Sequence, residues 1–201
     1  MKLPPRRVRM IGRTLSWIAA HAPWLWGLIR VPVTAFWNRM AGHWDANESP
    51  TRTQSLMSAL ESVGEPRRIL EIGTGTGSGA AVLKARFPNA DITGVDLSPE
   101  MVRIAQTKVK GVTFEPADAS RLPFRDGSFD LIAQNNVPVY FNEIARVLAP
   151  GGRVLITSTL GPDTPYYTPH SVLKRGFGKL GFTDLRSEQA TPGDWFLATK
   201  P

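Results

Sequence analysis

A chain of 201 residues, 42% hydrophobic and 20% charged, suffices for one packed domain with an appendage and has an ordinary folded protein's composition. It has no cysteine, which excludes disulfides, thiolate metal sites and a cysteine nucleophile and is compatible with a reducing compartment. The formal net charge of +7 is uneven: all 17 acidic residues lie from Asp45 onward with 17 of the 24 Lys and Arg, so the excess rests on Lys2, Arg6, Arg7, Arg9, Arg13, Arg30 and Arg39.

A neutral body with a basic N-terminal arm gives no reason to expect a nucleic-acid partner. Residues 1–50 read as that arm and residues 51–201 as the main domain. The basic stretch Lys2–Arg13 leads into Leu15-Ser16-Trp17-Ile18-Ala19-Ala20, and five of the six tryptophans fall between Trp17 and Trp44. The tryptophans, Pro23 and the lack of a small-x-small cleavage site argue against a secretory signal. A membrane span needs ~20 mostly apolar residues, and Pro23, Arg30 and Pro32 interrupt the run. Arginine with tryptophan suits an interfacial helix better. The preferred reading is helices packed over the domain as a lid, in a cytoplasmic protein, with peripheral membrane contact through residues 1–44 as the alternative.

From Thr51 the pattern is regular. Leu56, Met57, Leu60 and Val63 have helical spacing before Gly64. Arg67–Ile72 is a strand ending in a glycine turn; Ser78–Arg86 is a helix closed by Pro88; Asp91–Asp96 is a second strand. Ser98 is a helix N-cap with Pro99 at the first position, and its helix runs to about Val109. Strands follow at Val112–Glu115 and Phe129–Gln134, then a helix over Tyr140–Leu148, a strand over Arg153–Thr159 and a helix over Ser171–Leu180. Phe182–Arg186 and Trp195–Thr199 are the last strands. The alternation predicts an α/β, Rossmann-like, doubly wound sheet of seven strands, mostly parallel with the last antiparallel, helices on both faces and an N-terminal helical arm.

The turn Gly73-Thr74-Gly75-Thr76-Gly77 lies between a buried strand and a helix, where glycines permit tight geometry and close approach of a ligand. The helix start favours a carboxylate or phosphate. No lysine follows the last glycine, the next basic residue being Lys84, so a P-loop is disfavoured. Asp96 ends the second strand, placed to accept from ribose hydroxyls. A nicotinamide dinucleotide would satisfy both features equally.

A third acid, Asp118, follows the third strand in Glu115-Pro116-Ala117-Asp118-Ala119. With it, Ile69–Gly77, Gly94–Met101, Ala117–Ile132 and Glu143–Gly152 stand in an order and spacing that resemble the motifs of class I S-adenosylmethionine-dependent methyltransferases of the type 11 domain. The similarity is greatest to the quinone-biosynthesis subgroup and covers roughly residues 65–160. The resemblance implies S-adenosylmethionine as methyl donor and S-adenosylhomocysteine as product. It would put Gly73, Thr74, Gly75 and Gly77 along the methionine portion, with Glu71 near its amino group. Asp96 would hold the ribose, Leu97 and Met101 the adenine, and Asp118 with Ala119 the adenine amino group. Asn135 would face the methionine and the incoming acceptor. No metal is implied.

Asn135–Tyr140 runs almost directly into Glu143, shorter than the family's usual stretch, so that side of the site is expected to be short and open. No large insertion follows the fifth strand, leaving Leu160–His170 and residues 15–50 to select the acceptor. Methyl transfer depends mainly on alignment, with a base only for an acceptor of high pKa. His43, Asp45, Tyr140 and His170 are the possible bases, His170 and His43 the chosen ones. Without cysteine, methylation at cytosine carbon 5 is disfavoured. Asn136-Val137-Pro138-Val139-Tyr140 does not match the Asn/Asp-Pro-Pro-aromatic motif of amino methylation. Gln134 and Asn135 stand where the metal-dependent catechol type carries acids. A small-molecule acceptor, apolar or lipid-like, remains. The rivals are a non-catalytic binding module, an aminopropyl transferase and a nicotinamide dehydrogenase.

Overall fold

The computed structural model describes residues 6–44 and 50–201. Its centre is a seven-stranded sheet ordered β3-β2-β1-β4-β5-β7-β6. In chain order the strands are β1 (Arg68–Ile72), β2 (Asp91–Asp96), β3 (Thr113–Pro116), β4 (Phe129–Asn135), β5 (Leu148–Ser158), β6 (Thr183–Ala190) and β7 (Gly193–Thr199). The first five pair in parallel; β7 inserts between β5 and β6, antiparallel to both. β1 and β4 lie side by side while the chain winds outward from each. Their C-terminal ends therefore flank the crevice where ligands bind in such sheets.

The central strands are covered on both faces, which is why their apolar runs are nearly continuous. Ile69, Leu131, Leu155 and Leu197 pack beneath α3 (Gln54–Leu60) and α4 (Ser78–Arg86), with Leu56, Leu60, Leu83 and Phe87 as the helical contribution. Leu70, Ile132, Val154 and Phe196 face α6 (Phe141–Val147) and α7 (His170–Lys179), which supply Ile144, Val147, Leu173 and Phe177. α5 (Pro99–Lys108) starts where Ser98 Oγ accepts the Met101 N–H at 3.2 Å and packs Val102 and Ala105 on Phe114.

Several boundaries differ from the sequence pattern; β6 runs on to Ala190 and β7 begins at Gly193. Residues 50–52 form a 3-10 turn, and α3 ends at Leu60 although Val63 is buried beyond it. β5 begins at Leu148, not Arg153. Leu148 already pairs with Phe129, and the Pro150-Gly151-Gly152 segment joins the chain's end through Gly151 N–H to Lys200 O and Lys200 N–H to Gly152 O, both 2.9 Å.

The arm is two helices, α1 (Arg6–His21) and α2 (Trp26–Trp44), joined by a 3-10 turn at Pro23–Leu25. They lie over loops at the C-terminal ends of the strands. α1 sits on the loop after β5: Arg13 donates to Pro162 O at 2.6 Å, Arg9 pairs with Asp163, and a Cβ at Gly12 would stand 2.3 Å from Pro165 O. α2 reaches the start of α5, where Ser98 Oγ donates to Asn38 Oδ1 at 2.6 Å. The expected boundary near residue 50 adjoins residues 45–49, outside the described residues, as does Asp45. Among the described residues no helix is long and apolar enough to cross a membrane.

Glu71 sits inside this frame, 4% exposed. The Thr74 hydroxyl and the Ala80 N–H donate to its carboxylate, and Gly79 leaves it room, since a Cβ there would be 1.9 Å from Oε1. Burial pushes its carboxyl up to about 7; Thr74 and Ala80 oppose the shift and the charge of Asp96 adds to it. The folded protein thus keeps a proton that the unfolded chain releases above the ordinary value of 4.5. Stability from this group is full below that value and is lost as pH rises through about 7, by roughly 3 kcal/mol in total. In urea unfolding at about pH 5 and pH 8, Glu71→Gln should lose less stability between the two pH values than the wild type. Equal losses would show that Glu71 does not titrate in this window.

Candidate functional site

The site begins where β1 runs out. Gly73 has φ +72, and a Cβ on it would stand 2.2 Å from Val137 Cγ2, so glycine is required on both counts. Its N–H and that of Thr74 both donate to Val95 O, at 2.8 and 2.9 Å, which pins the turn to β2. Gly75 N–H donates to Asp96 Oδ2 at 2.9 Å, and Asp96 Oδ1 accepts the Ser98 N–H at 2.9 Å. Gly77, at φ +92, leads into α4. Burial holds the Asp96 carboxyl above its ordinary range despite backbone N–H donors from Ser98, Gly75 and Leu97. From Gly73 to Leu83 there is no Lys or Arg.

β3 delivers the next carboxylate. Ala117 N–H donates to Asp96 O at 2.9 Å, tying the loop after β3 to the end of β2. Asp118 Oδ1 accepts the Ser120 N–H at 2.9 Å and its hydroxyl at 2.7 Å. Met101 is buried, and Leu97 and Ala119 are half-buried in one apolar cluster with Leu15, Ala19, Trp26 and Tyr140. The fold thus gathers Glu71, Gly73, Thr74, Gly75, Gly77, Asp96, Leu97, Met101, Asp118 and Ala119 around one strand edge.

The arm closes this edge. Trp26 Nε1–H points at Asp118 and lies 3.0 Å from both carboxylate oxygens, while Arg30 stands 3.6 Å from Oδ2. Trp37 packs against Trp44 and Tyr166, and the Trp44 Nε1 lies 3.7 Å from where a Gly75 Cβ would be. Burial pushes the Tyr166 phenol up to about 12, against a hydrogen bond from Trp37. The side expected to be short and open is therefore covered, because α1 and α2 bring Trp26 onto Tyr140 with ring centroids 5.9 Å apart. Tyr140 makes a poor base here: burial, then the charge of Asp118, drives its phenol well above the ordinary value.

Asn135 ends β4, but its side chain is engaged. Its Nδ2 donates to Arg52 O at 3.1 Å and its Oδ1 accepts the Thr157 hydroxyl at 3.1 Å. It braces the strand ends instead of facing an open cavity, and the neighbouring Asn136 Oδ1 accepts the Thr159 N–H at 2.9 Å. His43 is exposed on the last turn of α2. His170, the first residue of α7, faces inward with Nε2 3.5 Å from Asp194 Oδ2.

Asp194 and Trp26 carry weight that sequence reasoning missed. The Asp194 side chain is only 3% exposed and accepts the Ser158 hydroxyl through Oδ1. An acid heading the buried run Trp195-Phe196-Leu197-Ala198 was the available signal. For Trp26 there was none, since its partner is 92 residues away. Among the described residues no cluster of His and acidic side chains suits a metal ion.

Comparison with known proteins agrees with this geometry. Residues 69–152 match the family described as methyltransferase domain. The chain is 41% identical over 116 residues to the demethylmenaquinone methyltransferase of Thermus thermophilus, covering 52% of each protein. It spans about half the length of the curated relatives it matches. Among solved structures, an adenosylmethionine-dependent methyltransferase from Aquifex aeolicus superposes with TM-score 0.66 at 19% identity, over 80% of this chain and 98% of that one. A Haemonchus contortus phosphoethanolamine N-methyltransferase, solved with S-adenosylhomocysteine, gives TM-score 0.62 at 23% identity, over 74% of this chain and 52% of that one. Residues 69–152 are thus similar to a methyltransferase domain and to the demethylmenaquinone methyltransferases, and the chain shares the fold of the solved adenosylmethionine-dependent methyltransferase.

Proposed function

We propose that the protein is an S-adenosylmethionine-dependent methyltransferase acting on a small, apolar or lipid-like acceptor. The observation that carries the reading is the trio of Asp96, Asp118 and the cation-free Gly73–Gly77 turn at adjoining strand ends. Two carboxylate acceptors suit a nucleoside's hydroxyl and amino donors, and a turn without Lys or Arg does not repel a sulfonium. Trp26 tests the fit from within the chain: a flat bicyclic ring lies in the cluster containing Leu97 and Ala119 and donates an N–H to Asp118. Adenine has the same shape and donor character.

Bound adenosylmethionine would supply an electrophilic methyl on a good leaving group. The chain's work is then to hold the ribose on Asp96 and the base on Asp118, and to align an acceptor for in-line displacement. The small cleft at the ends of β4 and β5, bordered by Tyr166, Tyr167 and His170, supports a place for the acceptor. A proton leaving the acceptor would pass to His170, whose Nε2 lies 3.5 Å from Asp194 Oδ2. His43, outside this cleft, has no such support.

The outer face of the arm supports peripheral contact with an anionic lipid surface. Trp24 and Leu28 are 76% and 77% exposed, beside exposed Met10, Ile11, Trp17 and Val31. Residues 1–44 contain no acid. Basic residues with tryptophan form such interfacial faces.

Asp96→Ala should weaken S-adenosylhomocysteine binding in calorimetry at least tenfold, about 1.4 kcal/mol; an unchanged affinity refutes the ribose assignment. His170→Ala should lower turnover of a working acceptor by about a hundredfold while leaving S-adenosylhomocysteine affinity within twofold. Turnover unchanged in the variant would remove His170 from proton transfer. Flotation with phosphatidylserine vesicles should carry the protein up in low salt and release it in high salt. Equal recovery with neutral and anionic vesicles argues against the lipid contact.

A further inference from the structure

We infer that the arm is a displaceable cover in which Trp26 holds the position of the adenine ring, so that arm and cofactor exclude one another at Asp118. The inference rests on the adenosylmethionine reading above. It starts from the acceptor capacity of one carboxylate. Asp118 Oδ1 already receives the N–H and hydroxyl of Ser120, at 2.9 and 2.7 Å. Trp26 Nε1–H then lies 3.0 Å from both oxygens, and the Arg30 guanidinium is 3.6 Å from Oδ2. A carboxylate has about four lone-pair sites, and an incoming amino group must displace the indole to reach a good one.

The space is shared as well as the hydrogen bond. The buried Trp26 ring lies in one cluster with Leu97, Ala119 and Tyr140. The cleft at the ends of β4 and β5, bordered by Asn136, Tyr166, Tyr167 and His170, measures only about 10 Å³, roughly the least that admits one water. An acceptor does not fit there while Trp37 of the arm packs on Tyr166.

The docked state is also held against a cost. The Tyr140 hydroxyl is buried beside this indole and has no hydrogen-bond partner among the described residues, an arrangement that costs stability. The polar ties holding the arm elsewhere, among them Arg9 to Asp163, Arg13 to Pro162 and Ser98 to Asn38, are solvent-exposed or partly so. A cover of this kind lowers apparent cofactor affinity by the fraction of molecules that are open.

Calorimetry of the full-length chain with S-adenosylhomocysteine tests this. Trp26→Ala should bind at least tenfold more tightly than the wild type, and Trp26→Phe, which keeps a ring but loses the N–H, severalfold more tightly. Hydrogen exchange on the wild type needs no variant: saturating S-adenosylhomocysteine should accelerate exchange across residues 26–44. Unchanged or weaker binding by both variants, or protection of α2 on ligand addition, overturns the cover and leaves the cofactor reading standing. Absence of binding by wild type and variants alike overturns the cofactor reading and the cover with it.

Discussion

Two carboxylates, Glu71 and Asp96, stand on neighbouring parallel strands beneath a single glycine turn, and the site is built on how they are satisfied. No cation from the turn or the start of α4 neutralises them. Glu71 is met by a hydroxyl and a backbone N–H, Asp96 by backbone N–H groups from the turn and from the start of α5. Burial raises both carboxyls, and the charge of Asp96 adds to the cost of ionising Glu71. The arrangement costs stability near neutral pH and yields an acidic turn without Lys or Arg at the end of β1. Every other element of the site is placed relative to this pair. Val95 O holds the turn through two N–H groups, Asp96 O holds the loop that carries Asp118, and Val137 fills the space that Gly73 lacks.

The arm gives the five early tryptophans two different tasks. Trp26, Trp37 and Trp44 turn inward, onto Asp118, Tyr166 and the glycine turn respectively. Trp17 and Trp24 remain exposed, with Met10, Ile11, Leu28 and Val31. One pair of helices therefore presents an aromatic underside to the site and an apolar, basic outer surface to solvent. The inner contacts are specific and polar at their tips, whereas the outer face has no partner of defined geometry, as suits contact with a fluid surface.

At the opposite side of the crevice, the antiparallel insertion of β7 matters more than its pairing suggests. It places Asp194 opposite Ser158 in register, so an acid at the mouth of a buried strand meets the end of β5. His170, heading α7, then lies within 3.5 Å of that acid. Three chain segments, separated by up to 36 residues, supply one polar cluster beside the strand ends.

Much of the architecture was legible in the residues themselves. Buried apolar runs of strand length separated by helix-period segments, Ser98-Pro99 as a helix start and the spaced glycines of 73–77 each express local chemistry, and local chemistry is readable in order along a chain. So were the carboxylates at the ends of the second and third strands, because strand length fixes where a strand end falls. The sequence could not disclose which long-range partner would claim each polar group. Asn135 was positioned correctly but spends its amide on Arg52 and Thr157; the side of the site that looked short is roofed by helices more than a hundred residues earlier in the chain. By itself the sequence determined the scaffold and the set of groups at its edge. Tertiary packing alone decided that Asp118 meets Trp26 and that Asp194 meets His170, because pairings across such separations depend on how layers stack and not on any period in the chain.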